Sequence, residues 1–169
     1  MKKVLLLAVT AIMSMASYAQ VDTKAVGVHL NYGSHMDNVG FGIKGQNNFT
    51  DNIRGEAQFD LFAKKSDWGM WGLAINGHYL FNVTEKLTLY PIIGFTYANW
   101  YHSWEEMENT ANGTYIREKS KHFSRFGSNF GVGAEYKLSD RFSTYLEIKK
   151  QVVSDYDQMT YSLGISMKI

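Results

Sequence analysis

Between Phe126 and Leu138 the chain alternates strictly. The even positions are Phe126, Ser128, Phe130, Val132, Ala134, Tyr136 and Leu138, and the odd ones Gly127, Asn129, Gly131, Gly133, Glu135 and Lys137. Successive side chains of a strand point to opposite faces, so the pattern predicts one apolar face and one that is small, polar or charged. The same period recurs seven more times, with apolar faces over Val26–Tyr32, Val39–Phe49, Ile53–Ala63, Trp71–Val83, Leu87–Tyr97, Phe142–Ile148 and Met159–Ile169. Eight strands follow one another with no helical segment between them.

Three connections repeat one small clasp: F-T-D-N-I at 49–53, V-T-E-K-L at 83–87 and L-S-D-R-F at 138–142. In each, two apolar residues on the apolar face enclose three polar ones, the pattern of a tight hairpin turn centred on Asp51, Glu85 or Asp140. The connections at the other end read as longer and more varied. Short uniform turns at one end and longer loops at the other predict an all-β fold: an eight-stranded antiparallel up-and-down transmembrane β-barrel whose clasps are periplasmic.

The charged face carries Lys44, Arg54, Glu56, Glu135, Lys137, Glu147 and Lys149 beside many glycines. An eight-stranded interior has room only for side chains, which small residues beside a few long charged ones would fill. These seven residues are therefore expected to form a packed interior network of ion pairs, because unpaired charges there would be costly. Aromatics gather toward the ends of the apolar face, with Tyr32, Trp71 and Tyr97 at one and Phe49, Phe81, Tyr136 and Phe142 at the other, as in a lipid-facing girdle. A soluble lipocalin-like ligand-binding barrel is the alternative, and it explains the charged, glycine-rich face poorly.

Upstream of the strands, Lys2 and Lys3 precede the run Val4–Met13, and Ser17 and Ala19 are small residues placed for signal-peptidase cleavage. Residues 1–19 read as a secretory signal and 20–169 as one barrel domain. The chain has no cysteine, so neither disulfides nor a lipoprotein anchor is expected. With 17 basic and 16 acidic residues, nothing argues for nucleic acid.

The segments L-Y-P-I-I-G-F-T-Y (89–97) and F-G-V-G-A-E-Y-K-L-S-D-R-F-S (130–143), with the Ala19–Gln20 junction, resemble the small eight-stranded outer-membrane barrels of Gram-negative bacteria, the porin-like proteins. The resemblance spans the mature chain and implies outer-membrane lipid, lipopolysaccharide and the barrel-assembly machinery as partners, with the cell outer membrane as location. Such barrels usually end in an aromatic residue, whereas this chain ends Ser166-Met167-Lys168-Ile169.

Two local features carry further expectations. Pro91 cannot donate to a ladder, so a bulge or break is expected there. Asn112-Gly113 is a strong hairpin signal inside the longest connection. With the turn there, Ala111 faces Thr114, Glu108 faces Arg117, Glu106 faces Lys119 and Leu87 faces Leu138. Residues 101–124 then form a hairpin standing above the membrane. It reads either as a partner-binding edge for an extracellular protein or as a solvated ribbon kept soluble by its charges.

Candidate chemistry is sparse. His122 and Ser124 share the lipid-facing side of one strand, with Glu135 downstream, and lipid A deacylase barrels carry an H-x-S pair and a later Glu. Here Glu135 has interior parity near the opposite boundary, which argues against a triad. His29 and His78 read as isolated, satisfied interior groups. No metal spacing or phosphate loop occurs, and no cofactor is expected. The expectation is a monomeric structural or surface-interaction barrel without an open channel, with a lipid A-modifying enzyme as the alternative function.

Overall fold

The structure is a computed structural model that describes residues 23–65, 68–110, 113–154 and 156–169, with residues 65, 103–110 and 113–120 described by their backbone alone. The signal segment 1–19 and Asn112 lie outside the described residues. The strands are β1 (Thr23–Gly33), β2 (Asn38–Asn48), β3 (Ile53–Lys65), β4 (Trp68–Tyr79), β5 (Phe81–Asn82), β6 (Leu87–Thr110), β7 (Gly113–Lys137), β8 (Phe142–Val153) and β9 (Gln158–Lys168). All pairings are antiparallel between chain neighbours, and β1 pairs with β9 to complete the ring. β4 and its two-residue continuation β5 both pair with β6, so nine elements make eight staves of one closed barrel.

The interruption between β4 and β5 has a simple cause. His78↔Ile92 and Phe81↔Leu89 lie in one register, which sets Tyr79 across from Pro91. Pro91 has no N–H to give on that side, yet it stays paired with Val132 on the other. The expected irregularity is thus a gap in the ladder without a bulge. A register shift does occur elsewhere, between Phe62 and Lys65 of β3.

The three clasps are chemically identical turns. Phe49, Val83 and Leu138 each donate a backbone N–H to the carbonyl of Ile53, Leu87 or Phe142, at 2.8–2.9 Å. In each, the Ser/Thr hydroxyl accepts from the backbone N–H two and three residues on: Thr50 from Asn52 and Ile53, Thr84 from Lys86 and Leu87, Ser139 from Arg141 and Phe142. That bond is why the second clasp position is always Ser or Thr.

The opposite end differs from expectation. Its connections span 34–37, 66–67, 111–112 and 154–157, no longer than the clasps at 49–52, 83–86 and 138–141. The extra chain is taken up as strand, because β6 and β7 continue far past their neighbours. Their register also corrects the sequence reading by two residues. Leu87 pairs with Tyr136, not Leu138, and Thr110 pairs with Gly113, which therefore belongs to the strand rather than the turn. Anchoring the register on Asn112-Gly113 set the two clasp ends level, but barrel strands are staggered, so neighbouring turns sit at different heights. A shift of two leaves face parity unchanged.

Burial across the wall is inverted relative to a water-soluble barrel. Outward-facing Phe95 and Phe126 are 74% and 80% exposed, whereas inward-facing Lys44, Glu56, Glu147 and Lys149 are at most 2% exposed. Such a wall suits an apolar solvent, where closing the ring removes the unpaired strand edges of an open sheet. The soluble lipocalin-like alternative has its apolar residues on the wrong side.

Candidate functional site

Two layers of side chains with different chemistry pack into the bore. At mid-height Lys44 on β2 donates to Glu147 on β8 at 2.6 Å and lies 3.0 Å from Glu56 on β3. Lys149 is 3.2 Å from the second oxygen of Glu147 and donates to Gln58. Glu56 also accepts from Gln46 and Asn76, and Glu147 from the Tyr90 hydroxyl, each at 2.9 Å. The Lys44 ammonium lies 3.3 Å from the centre of the Tyr145 ring, a cation–π contact. Every charge in this layer has charged and neutral partners, as burial requires. The glycines make the space: a Cβ on Gly133 would collide with the Tyr90 ring, and one on Gly42 with His29 and Asp60.

Beside this layer, the two ring nitrogens of His29 meet Asp60 at 2.9 Å and the Tyr145 hydroxyl at 3.0 Å. A neutral imidazole satisfies both by donating at Nε2 and accepting at Nδ1. Asn31 and Gln58 complete the shell of Asp60 by donating to it. His29 is therefore satisfied but not isolated. His78 departs from expectation in the opposite sense. It stacks on Tyr90 at 4.8 Å with Nε2 3.8 Å from Glu56, and neither ring nitrogen has a hydrogen-bond partner among the described residues.

Of the seven charges predicted for the interior, Lys44, Glu56, Glu147 and Lys149 come together in this layer. Arg54 and Glu135 form a separate ion pair nearer the clasps. Lys137 corrects the prediction. Its side chain is 48% exposed and pairs with Asp140 at 2.9 Å in the clasp, because inward parity at the last residue of a strand points into the mouth rather than the core. Sequence reasoning missed Gln58, Asp60, Asn76, Tyr90 and Tyr145, whose only signal was inward parity.

Toward the end away from the clasps the bore holds an apolar cluster of Phe62, Met70, Ala98, Trp100 and Val153, flanked by Met36, Trp68 and Tyr156. Trp100 stacks on Tyr156 at 4.6 Å. Beneath it Gln158 donates to Gln151 at 2.6 Å.

The candidate catalytic residues are not assembled. Asn99 donates to Ser124 at 2.6 Å and contacts His122 at 3.4 Å on the outer rim, whereas Glu135 is engaged with Arg54 near the clasps. Among the described residues no cluster of His, Cys, Asp or Glu could hold a metal ion.

β6 and β7 leave the barrel as a two-stranded ribbon. β4 last pairs with β6 at Trp68↔His102, and β8 with β7 at Gly127↔Val153; beyond these, among the described residues, β6 and β7 pair only with each other. In the observed register Glu106 stands opposite Arg117, Glu108 opposite Tyr115 and Lys119 opposite Trp104. The predicted pairs Glu106–Lys119 and Glu108–Arg117 are thus replaced by a single opposition of unlike charges.

The family described as outer membrane protein beta-barrel domain matches residues 5–168. The chain belongs to that family. It is an integral protein of the Gram-negative outer membrane, and its outward apolar face meets lipid. Among solved structures it is similar to the N-terminal β-barrel domain of Pseudomonas aeruginosa OprF (12% identity, TM-score 0.68, covering 87% of this chain and 97% of that one). It is also similar to Ail, the attachment invasion locus protein of Yersinia pestis (14%, TM-score 0.58, 87% and 97%). A third is OprG of Pseudomonas aeruginosa (10%, TM-score 0.61, 89% and 97%). At these identities the likeness is one of fold. No curated protein matches the chain.

Proposed function

We propose that this protein is a monomeric, non-conducting, non-enzymatic outer-membrane barrel that presents the β6–β7 ribbon at the cell surface as an interaction element. The observation that carries the reading is the combination of a bore filled at two heights with strands that outrun their neighbours at one end only. Eight staves leave an interior that side chains can fill, whereas open aqueous channels belong to barrels of about 16 strands. The clasps, the start of β1, Ile169 and the Arg54–Glu135 pair lie together, and we place that end in the periplasm. A closed ring leaves no wall edge to pair with a second copy, while the ribbon keeps its strand edges available for an extracellular partner. Ail, named for attachment and invasion, shares the barrel type, which supports an adhesion-like role here.

The test has two arms. The purified barrel in planar bilayers should give no discrete conductance, and steady channel openings would overturn the closed-bore reading. Excision of residues 104–119, joining the facing Ser103 and Ser120 through Asn-Gly, should leave assembly intact and abolish attachment or aggregation of expressing cells. Unchanged attachment would remove the ribbon's role. Cysteines at Ser66 or Thr110 should react with a reagent outside intact cells while one at Asp140 should not; the reverse pattern would invert the orientation.

A further inference from the structure

At the clasp end the bore opens into a polar vestibule of about 220 Å³. Its lining includes five basic side chains, Arg54, Lys86, Lys137, Arg141 and Lys168, against three acidic ones, Glu85, Glu135 and Asp140, an excess of two positive charges. Two of the basic groups are engaged: Arg54 holds Glu135, and Lys137 holds Asp140. Among the described ion pairs none includes Lys86, Arg141 or Lys168, and all three are exposed at the rim. Short side chains such as Ala25, Ser143 and Ser166 line the wall between them and leave the space unfilled. On the bore side the lining includes the buried Gln46 and the Arg54–Glu135 ion pair.

A cleft with an excess of one sign of charge concentrates counter-ions. The cationic excess and polar lining do not suit the apolar ligands that most small-molecule pockets take. We propose that this vestibule binds a small polyanion carrying at least two carboxylate or phosphate groups, held by Lys86, Arg141 and Lys168. The placement of the clasps in the periplasm bears only on where the ligand comes from: a free small acid there, or the carboxylates of a cell-wall peptide.

The experiment is an NMR titration of the full barrel, refolded in an uncharged detergent, with citrate, inorganic phosphate and a soluble cell-wall peptide as separate probes. Saturable shifts confined to vestibule residues are expected for citrate or the peptide, weakening with added salt. The combined variant Lys86→Gln, Arg141→Gln, Lys168→Gln should bind roughly tenfold more weakly, since charge-assisted contacts carry the site. Heat-modifiable mobility will show that this variant folds, as its exposed positions require, and Lys121→Gln at the far end should bind like the parent. Tighter binding of citrate identifies a free acid as the source, and tighter binding of the peptide identifies the wall. Absence of saturable shifts with all three probes, or equal affinity in the combined variant, overturns the proposal. External labelling at Asp140 would change the ligand's source and leave the binding result standing.

Discussion

Two lysine–carboxylate contacts in this barrel have nearly the same length and very different surroundings. Lys44 and Glu147 meet at 2.6 Å with neither side chain exposed. Lys137 and Asp140 meet at 2.9 Å with side chains 48% and 98% exposed. In mid-bore, removing each ion from water costs several kcal/mol, returned only by a full set of partners. Lys44 accordingly has Glu56, Glu147 and the Tyr145 ring, and Glu147 adds Lys149 and Tyr90. At the mouth, water solvates both ions whether or not they touch, so the contact changes little. The separation of two charges does not set what they contribute. The number of other groups committed to them does.

The largest expected effect tests that difference directly. Glu147→Gln should destabilise the barrel by about 3–5 kcal/mol, since it leaves Lys44 and Lys149 buried with too few partners. Asp140→Asn should leave the same urea-unfolding equilibrium, measured in detergent, unmoved. Similar midpoints for the two variants would break the comparison.

A charge on the other side of the same wall sharpens it. Val132 stands beside Gly131 and Gly133 of β7, opposite Ile148, and faces outward at 60% exposure. Val132→Arg should cost about 2–4 kcal/mol near the bilayer midplane, where no partner exists. Leu146→Arg, also outward, should behave alike. If both variants refold into vesicles like the parent, the outward face does not meet lipid.

The same contrast explains how much could be read without coordinates. Alternation with period two located the strands, their faces and the four charges of the central layer, because burial on one side of a sheet leaves that imprint on every second residue. Height within the bore leaves no such imprint. Lys137 and Lys44 share inward parity, yet one lies in the mouth and the other in the core. Likewise Trp100 and Met70 look like interruptions of a polar face until the register stacks them into one plug. The β6–β7 register was misread for a related reason: Asn112-Gly113 and level clasp ends were both plausible local anchors, but stagger around the ring overrides them. The clasps were legible down to the turn because their hydrogen bonds are local.

Those local bonds predict a smaller effect. Thr84→Ala removes the hydroxyl that accepts from Lys86 and Leu87, which should cost about 0.5–1.5 kcal/mol. Thr84→Ser should restore most of it, as Ser139 performs the same task in the third clasp. A difference from the parent that serine does not rescue would assign the effect to packing of the threonine methyl instead.

The smallest effect belongs to the exposed pair itself and is visible only as a titration. The hydrogen bond from Lys137 holds the Asp140 carboxyl below its ordinary range, the Lys137 charge adds to this, and Lys168 contributes further. A carboxyl depressed in the folded state adds stability above its unfolded value, about 4, and that contribution is lost as pH falls through the lower folded value. Above that window the Asp140 carboxyl adds no further pH dependence. Carbon-detected NMR of the Asp140 carboxyl should therefore give a midpoint below the usual aspartate value. Lys137→Gln should raise it most of the way back, and Lys168→Gln by less. If Lys168→Gln moves the midpoint more than Lys137→Gln does, the carboxyl is governed by the charge of the whole vestibule rather than by its nearest partner. The mouth would then share with the mid-bore layer the collective behaviour that the comparison denies it.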